Sequence, residues 1–219
     1  TPDGGYGAVC KRYRDLAKAE GLWVPLSRKA EQNPNLKRLF GAPDVWGDAS
    51  RAFARAARAA GVEKMLLHGR PSSPADLRAI NELGYLSSEY DNYTDIFDAT
   101  NGVIDGSHGR LPGDAVLKTN GERMNAWLTW DKRQYLKRCP RLWCEAAGPT
   151  VGALLTNWPY LARFIDGTTA EGAYECWDPN HPMTRRQKRE CGVALHQTLR
   201  ALGLVTGGEH GGAELENTT

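Results

Sequence analysis

Two carboxylates carry the first chemical signal in this chain. Asp166 closes the run Tyr160-Leu-Ala-Arg-Phe-Ile, and Glu209 closes Leu204-Val-Thr-Gly-Gly. Each run is short, largely apolar and bounded by turn residues, which predicts a strand that ends on an acid. If the two strands are neighbours in a parallel sheet, both acids face one cleft. Such a pair suits hydrolysis of a glycosidic bond. One carboxylic acid protonates the leaving oxygen, while the other attacks the anomeric carbon or activates water. The acid must keep its proton near neutral pH, so its surroundings must be less polar or closer to negative charge. Gly207-Gly208 before Glu209 would let the backbone approach a ligand closely. The competing reading makes each acid an ordinary polar residue at a strand end.

Other residues join this reading. The chain has seven tryptophans and eight tyrosines, and several stand beside acids, as in Tyr90-Asp91 and Trp177-Asp178. Rings with polar tips suit a sugar, which presents CH groups on its face and hydroxyls at its edge. Trp46 ends the first predicted strand and would floor a sugar subsite. His68 ends the second and would donate to a hydroxyl. Trp177 and Asp178, on the loop after Asp166, either contact the sugar or close that loop on Pro179. Core packing is the competing role for each ring, and a structural hydrogen bond for the histidine. His181-Pro182 is expected to shape the entry to a helix capped by Thr184. Arg185, Arg186, Lys188 and Arg189 read as a solvated helix face.

Metal chemistry has weaker support. Asp91, Asn92 and Asp95 offer oxygens at a spacing that suits calcium, without an EF-hand pattern, and a solvated acidic loop is the alternative. The five cysteines, Cys10, Cys139, Cys144, Cys176 and Cys191, include no CxxC pair. No histidine cluster accompanies Cys139 and Cys144, so the thiols read as scattered and reduced, in a cytoplasm-like compartment, and neither metal nor cofactor is expected. A metal-dependent hydrolase would need several histidines at strand ends, and only His68 and His210 qualify.

The elements that must position the acids alternate along the chain. Strands are predicted at 41–46, 64–69, 84–90, 161–166 and 204–209, with helices between them. Ser50 caps the helix to Ala60, Ser73-Pro74 opens the next, and Thr184 opens one that runs to Leu202. This βαβ rhythm predicts an α/β fold with a parallel sheet, of the (β/α)8 TIM-barrel type, truncated after about the fifth strand. Residues 1–40 are expected to form a lead-in outside the barrel, with 41–219 the partial barrel. An inserted region at about 91–150 breaks the rhythm. Its first part, to residue 125, reads as structureless and as a lid on the active face, and 126–130 and 141–144 read as short strands. The 219 residues carry a net charge of +2, and charged residues make up 25%. That balance argues against a nucleic-acid grip, and no apolar run is long enough to span a membrane. The expected partner is a carbohydrate substrate.

Three segments resemble a known clan. They are Phe164-Ile-Asp166-Gly-Thr-Thr169, Glu175-Cys-Trp-Asp-Pro-Asn-His-Pro182-Met-Thr184-Arg and Gly203-Leu-Val-Thr-Gly-Gly-Glu209-His-Gly211. They are similar to the endo-acting α-N-acetylgalactosaminidases of glycoside hydrolase family 101 and their exo-acting relatives in family 129. The resemblance runs over about residues 8–211 and is concentrated beyond about residue 160. It implies a retaining barrel enzyme acting on an α-linked sugar, with Asp166 as nucleophile and Glu209 as acid/base. It also implies that Ser87-Ser-Glu-Tyr-Asp91-Asn-Tyr93 ends the third strand, where Asp91 and the neighbouring Tyr93 would meet the sugar. A non-catalytic carbohydrate-binding barrel is the alternative.

Overall fold

Strands of three to seven residues alternating with helices build a five-stranded parallel sheet in the computed structural model, which describes residues 4–98 and 108–209. The chain opens with α1 (Gly5–Ala19) and α2 (Leu26–Gln32), followed by a 3-10 turn over Pro34–Leu39. Then come β1 (Asp44–Trp46), α3 (Arg51–Ala59), β2 (Leu66–His68), α4 (Pro74–Glu82) and β3 (Leu86–Asn92). An insertion carries β4 (Asp95–Asp98), β5 (His108–Gly109), β6 (Asn125–Leu128), β7 (Gln134–Lys137) and α5 (Trp143–Leu155). The sheet resumes with β8 (Ala162–Asp166), α6 (Arg185–Ala201) and β9 (Val205–Gly208). The order β1-β2-β3-β8-β9 follows the chain, and every pairing in it is parallel.

Local chemistry explains the helix boundaries. The Ser50 and Ser73 hydroxyls accept from Phe53 N and Asp76 N, and Thr184 with Gln187 forms a complete capping box. Each cap contributes about 1 kcal/mol. Gly61 and Gly203 take positive φ just past α3 and α6, where a side chain would be strained.

Apolar packing fixes which face the helices cover. Ala54 of α3 and Ile80 of α4 pack with Met65, Leu67 and Tyr85. Trp143, Ala147 and Val151 of α5 and Leu195 and Leu199 of α6 pack with Tyr93, Ile165 and Leu204. Side chains alternate along a strand, so the opposite face receives His68, Ser88, Ala162 and Phe164. The helices α3 to α6 therefore lie on one side of the sheet. The other side is left for the strand-end acids.

The insertion departs from expectation. Residues 91–98 are not structureless: β3 continues to Asn92 and β4 follows after two residues. β4 and β7 pair antiparallel with Asp95 opposite Lys137, and β6 and β7 form a hairpin. Arg141–Cys144 is not a strand but a 3-10 turn leading into α5. Gly148, Pro149 and Gly152 disguise that helix, since Pro breaks a backbone bond and Gly weakens propensity. Burial of Trp143, Ala147 and Val151 against α6 overrides them. The segment 22–26 leads into α2, a helix concealed by its polar composition. Residues 33–38 tie to the ends of the sheet opposite the acids: Asn33 donates to Gly203 O, and Arg38 donates to Asn81 O and Tyr85 O.

Candidate active site

The site begins with strand register. Asn92 stands opposite Asp166, and Ile165 stands opposite Gly208, so Glu209 follows on beside Asp166. Neighbouring strands run about 4.8 Å apart, and partners in register face the same way. A cleft of about 510 Å³ opens there and is lined by both acids. Its other walls are Tyr90, Asn92 and Asp95 from the third parallel strand and its continuation, Trp127, Tyr135 and Lys137 from the β6–β7 hairpin, and Gly167, Ala170 and Glu171.

Asp166 is oriented by two donors to the same oxygen. Tyr90 Oη lies 2.5 Å and Asn92 Nδ2 3.2 Å from Asp166 Oδ2. The amide can point only one way. Asn92 Oδ1 already accepts from the backbone N–H groups of Thr94 and Asp95, both at 2.9 Å, which leaves Nδ2 for the carboxylate. The chain then turns at Gly167, whose φ is +73° and whose added Cβ would stand 2.7 Å from Thr94 Oγ1. Glu209 is half-buried, and its backbone carbonyl accepts from the Thr169 hydroxyl.

A half-buried cation organises the far wall. Lys137 Nζ reaches Asp95 Oδ1 at 2.6 Å and also bonds Glu171. Burial alone would lower the lysine's pKa, but Glu171 and Asp95 outweigh it, and the ammonium titrates above its ordinary value. Tyr135 packs between Phe97 at 5.0 Å and Trp127 at 6.1 Å. Trp127 remains about half exposed, so its ring is available to a ligand.

The structure brings together some predicted residues and separates others. Asp166 and Glu209 share the cleft. Asp91 and Tyr93 do not, because they point to the helix-covered face. Asp91 is buried, with Oδ2 3.2 Å from Arg163 Nε. Tyr93 is fully buried in the α5–α6 core, where burial and the Asp91 charge push its phenol well up. The expected sugar contacts from this pair are thus corrected: the alternation of β3 turns Tyr90 and Asn92 to the cleft instead. It also separates Asp91 from Asn92, so the suggested calcium ligands do not converge.

Trp46 and His68 face the open side but form their own stack, with ring centroids 3.9 Å apart and Phe164 edge-on to both. His68 Nε2 lies 2.9 Å from Asp44 Oδ1, while burial outweighs that carboxylate and lowers the imidazole's pKa. Phe164 stacks in turn on Tyr90 at 6.2 Å, so this stack buttresses the site without lining the cleft. Trp177 and Asp178 lie outside the lining as well. Asp178 is buried and accepts from Arg123 at 2.8 Å, and Trp177 N donates to Leu117 O, so both hold the loop against the insertion. Lys188 is not on a solvated face: it is buried beneath Trp143 and Tyr174 and donates to Glu171 O. His210 lies outside the described residues. Sequence reading missed Tyr135, Lys137 and Glu171. The alternation of Gln134 to Lys137 was the available signal for the first two.

No protein-family model matches the chain, and no curated protein matches it significantly. Solved structures do. An α-N-acetylgalactosaminidase, NagBb from Bifidobacterium bifidum, in its GalNAc complex superposes with a TM-score of 0.81 at 19% identity, over 99% of this chain and 42% of that one. The ligand-free form gives 0.75 at 20% identity over 92% and 41%. A cycloalternan-degrading enzyme from Trueperella pyogenes with isomaltose gives 0.56 at 12% identity over 80% and 32%. The chain thus has a fold found in glycoside hydrolases, and it spans about two fifths of the length of the bifidobacterial structures.

Proposed function

We propose that the protein is a retaining glycoside hydrolase acting on an α-linked sugar, N-acetylgalactosamine or a related hexose. The parallel sheet is read as a sector of a (β/α)8 barrel. The observation that carries the proposal is the neighbouring placement of Asp166 and Glu209 above one cleft. Retaining enzymes hold their carboxyl groups about 5–5.5 Å apart, whereas inverting ones leave room for a water between them. Adjacent strands in register favour the shorter spacing.

In this reading Glu209 protonates the leaving oxygen while Asp166 attacks the anomeric carbon, forming a glycosyl-enzyme. Glu209 then takes a proton from water, which hydrolyses the intermediate and frees Asp166. Tyr90 and Asn92 aim the Asp166 carboxylate, and Trp127 offers its ring to a CH face of the sugar. The sugar is suggested by the enzyme named among the structural neighbours and by the three sequence segments.

The test uses aryl α-glycosides of N-acetylgalactosamine and galactose, with the first-formed anomer followed by NMR. Retained α-product is expected. Asp166→Asn should lower turnover about a thousandfold or more, equivalent to roughly 4 kcal/mol of transition-state stabilisation. Inverted product, or an unimpaired Asp166→Asn variant, overturns the proposal. Sugar binding without turnover would favour the carbohydrate-binding alternative.

A further inference from the structure

The insertion and the loop after β8 meet at three buried side chains that the catalytic reading does not use. Cys139 follows β7 directly, and Cys176 and His181 stand five residues apart on the loop. One donor atom from each lies within 4.8 Å of the other two, and all three residues are at least nine-tenths buried. Cys176 Sγ is 3.3 Å from His181 Nδ1. Tetrahedral zinc, with bonds of about 2.3 Å to sulfur and about 2.0 Å to nitrogen, separates a sulfur from a nitrogen by roughly 3.5 Å.

The surroundings are arranged as a ligand set. His181 Nε2 lies 2.7 Å from the Gly113 carbonyl, which can only accept, so Nε2 carries the proton and Nδ1 presents its lone pair to the cysteines. A backbone carbonyl on the distal nitrogen is the usual way a metal-bound histidine is oriented. Leu117 N donates to Cys176 Sγ at 3.4 Å, a bond that supports a thiolate. Paired hydrogen bonds between Cys176 and Met183 close the loop so that Cys176 and His181 face the same point. The segment is preorganised.

We infer that Cys139, Cys176 and His181 form a structural zinc(II) site that clips the inserted strands to the loop after Asp166. Binding releases one proton from each thiol. Two thiolates, one neutral imidazole and Zn²⁺ give an uncharged centre, which can be buried without an unpaired charge. Among the described residues no fourth His, Cys, Asp or Glu joins the three, so the fourth position of the tetrahedron is left to a ligand from outside this set. Thiolate and imidazole donors select zinc over hard cations such as magnesium or calcium. Cys144, which the sequence sets near Cys139, belongs to α5 and takes no part. Lys137 lies two residues before Cys139, so the metal would also steady one wall of the cleft.

The experiment uses the full chain, purified without chelator from zinc-supplemented cells. Elemental analysis should find one zinc per chain. Exchange for cobalt(II) should give a thiolate-to-cobalt charge-transfer band with tetrahedral d–d absorption. Cys139→Ser and Cys176→Ser should lose the metal, and Cys144→Ser should keep it. If a serine variant fails to fold, the metal content and cobalt spectrum of the unaltered protein decide. Substoichiometric zinc with no thiolate–cobalt band, full zinc retention by Cys176→Ser, or a Cys139–Cys176 disulfide mapped in the native protein would each overturn the inference.

Discussion

Replacing Lys137 by Met removes the cation between Asp95 and Glu171 while keeping most of the side chain's bulk. The Lys137 side chain is 12% exposed and those of its partners 16% and 20%. Removing one member of a buried ion pair costs about 3–5 kcal/mol, because the remaining charge is left uncompensated. Partial solvent access places this case at the low end, about 3 kcal/mol. For a chain of this length that is a fall in Tm of about 6–12 °C. Differential scanning fluorimetry and urea unfolding near neutral pH measure it.

The pH dependence gives a second handle. At the alkaline end the sign follows from the lysine itself. Its folded pKa lies above its ordinary value, so its contribution is complete below about pH 10.4 and is lost as pH climbs through the folded value. The native chain should lose stability there, and the variant should not. A Met variant within about 0.5 kcal/mol of the native chain, with the same pH profile, would refute the reasoning; a surface substitution behaves that way.

Three further outcomes are expected. Asp91→Asn should destabilise folding by about 1–3 kcal/mol by taking one of two carboxylates from buried Arg163, which keeps Glu89 at 3.5 Å, with KM for an aryl glycoside unchanged; lost substrate binding in a fully stable variant would return Asp91 to the cleft. His196, fully buried with Nδ1 3.0 Å from Thr206 Oγ1, has its pKa pushed by burial down to about 4. Its stabilisation is present above pH ~6.5 and lost as pH falls toward about 4, roughly 3 kcal/mol in all, so His196→Gln should flatten acid unfolding curves in that window. Gly208→Ala would set a Cβ 2.7 Å from Thr169 Oγ1 and 3.1 Å from Ile165 O. It should displace Glu209 and lower turnover at least about tenfold while costing only about 1–3 kcal/mol of stability; unchanged turnover would mean that Glu209 needs no fixed position.

The sequence by itself determined the alternation of the chain and the strand ends on which Asp166 and Glu209 fall. Those features are local: short apolar runs, Ser and Thr caps, and glycines just past helices act within a few residues and can be read without knowing the neighbours. Tertiary structure decided what stands around the acids. The register of β3 turns Tyr90 and Asn92 toward Asp166 and sends Asp91 to Arg163, a difference of one residue that only pairing with β8 fixes. The helical state of 143–155 depends on burial against α6, which outweighs the proline and glycines within it. Pairing of β4 with β7 likewise brings Asp95 to Lys137, and loop closure brings Cys176 and His181 to Cys139. Contacts between residues so far apart in sequence leave no local pattern, because geometry rather than composition selects the partners.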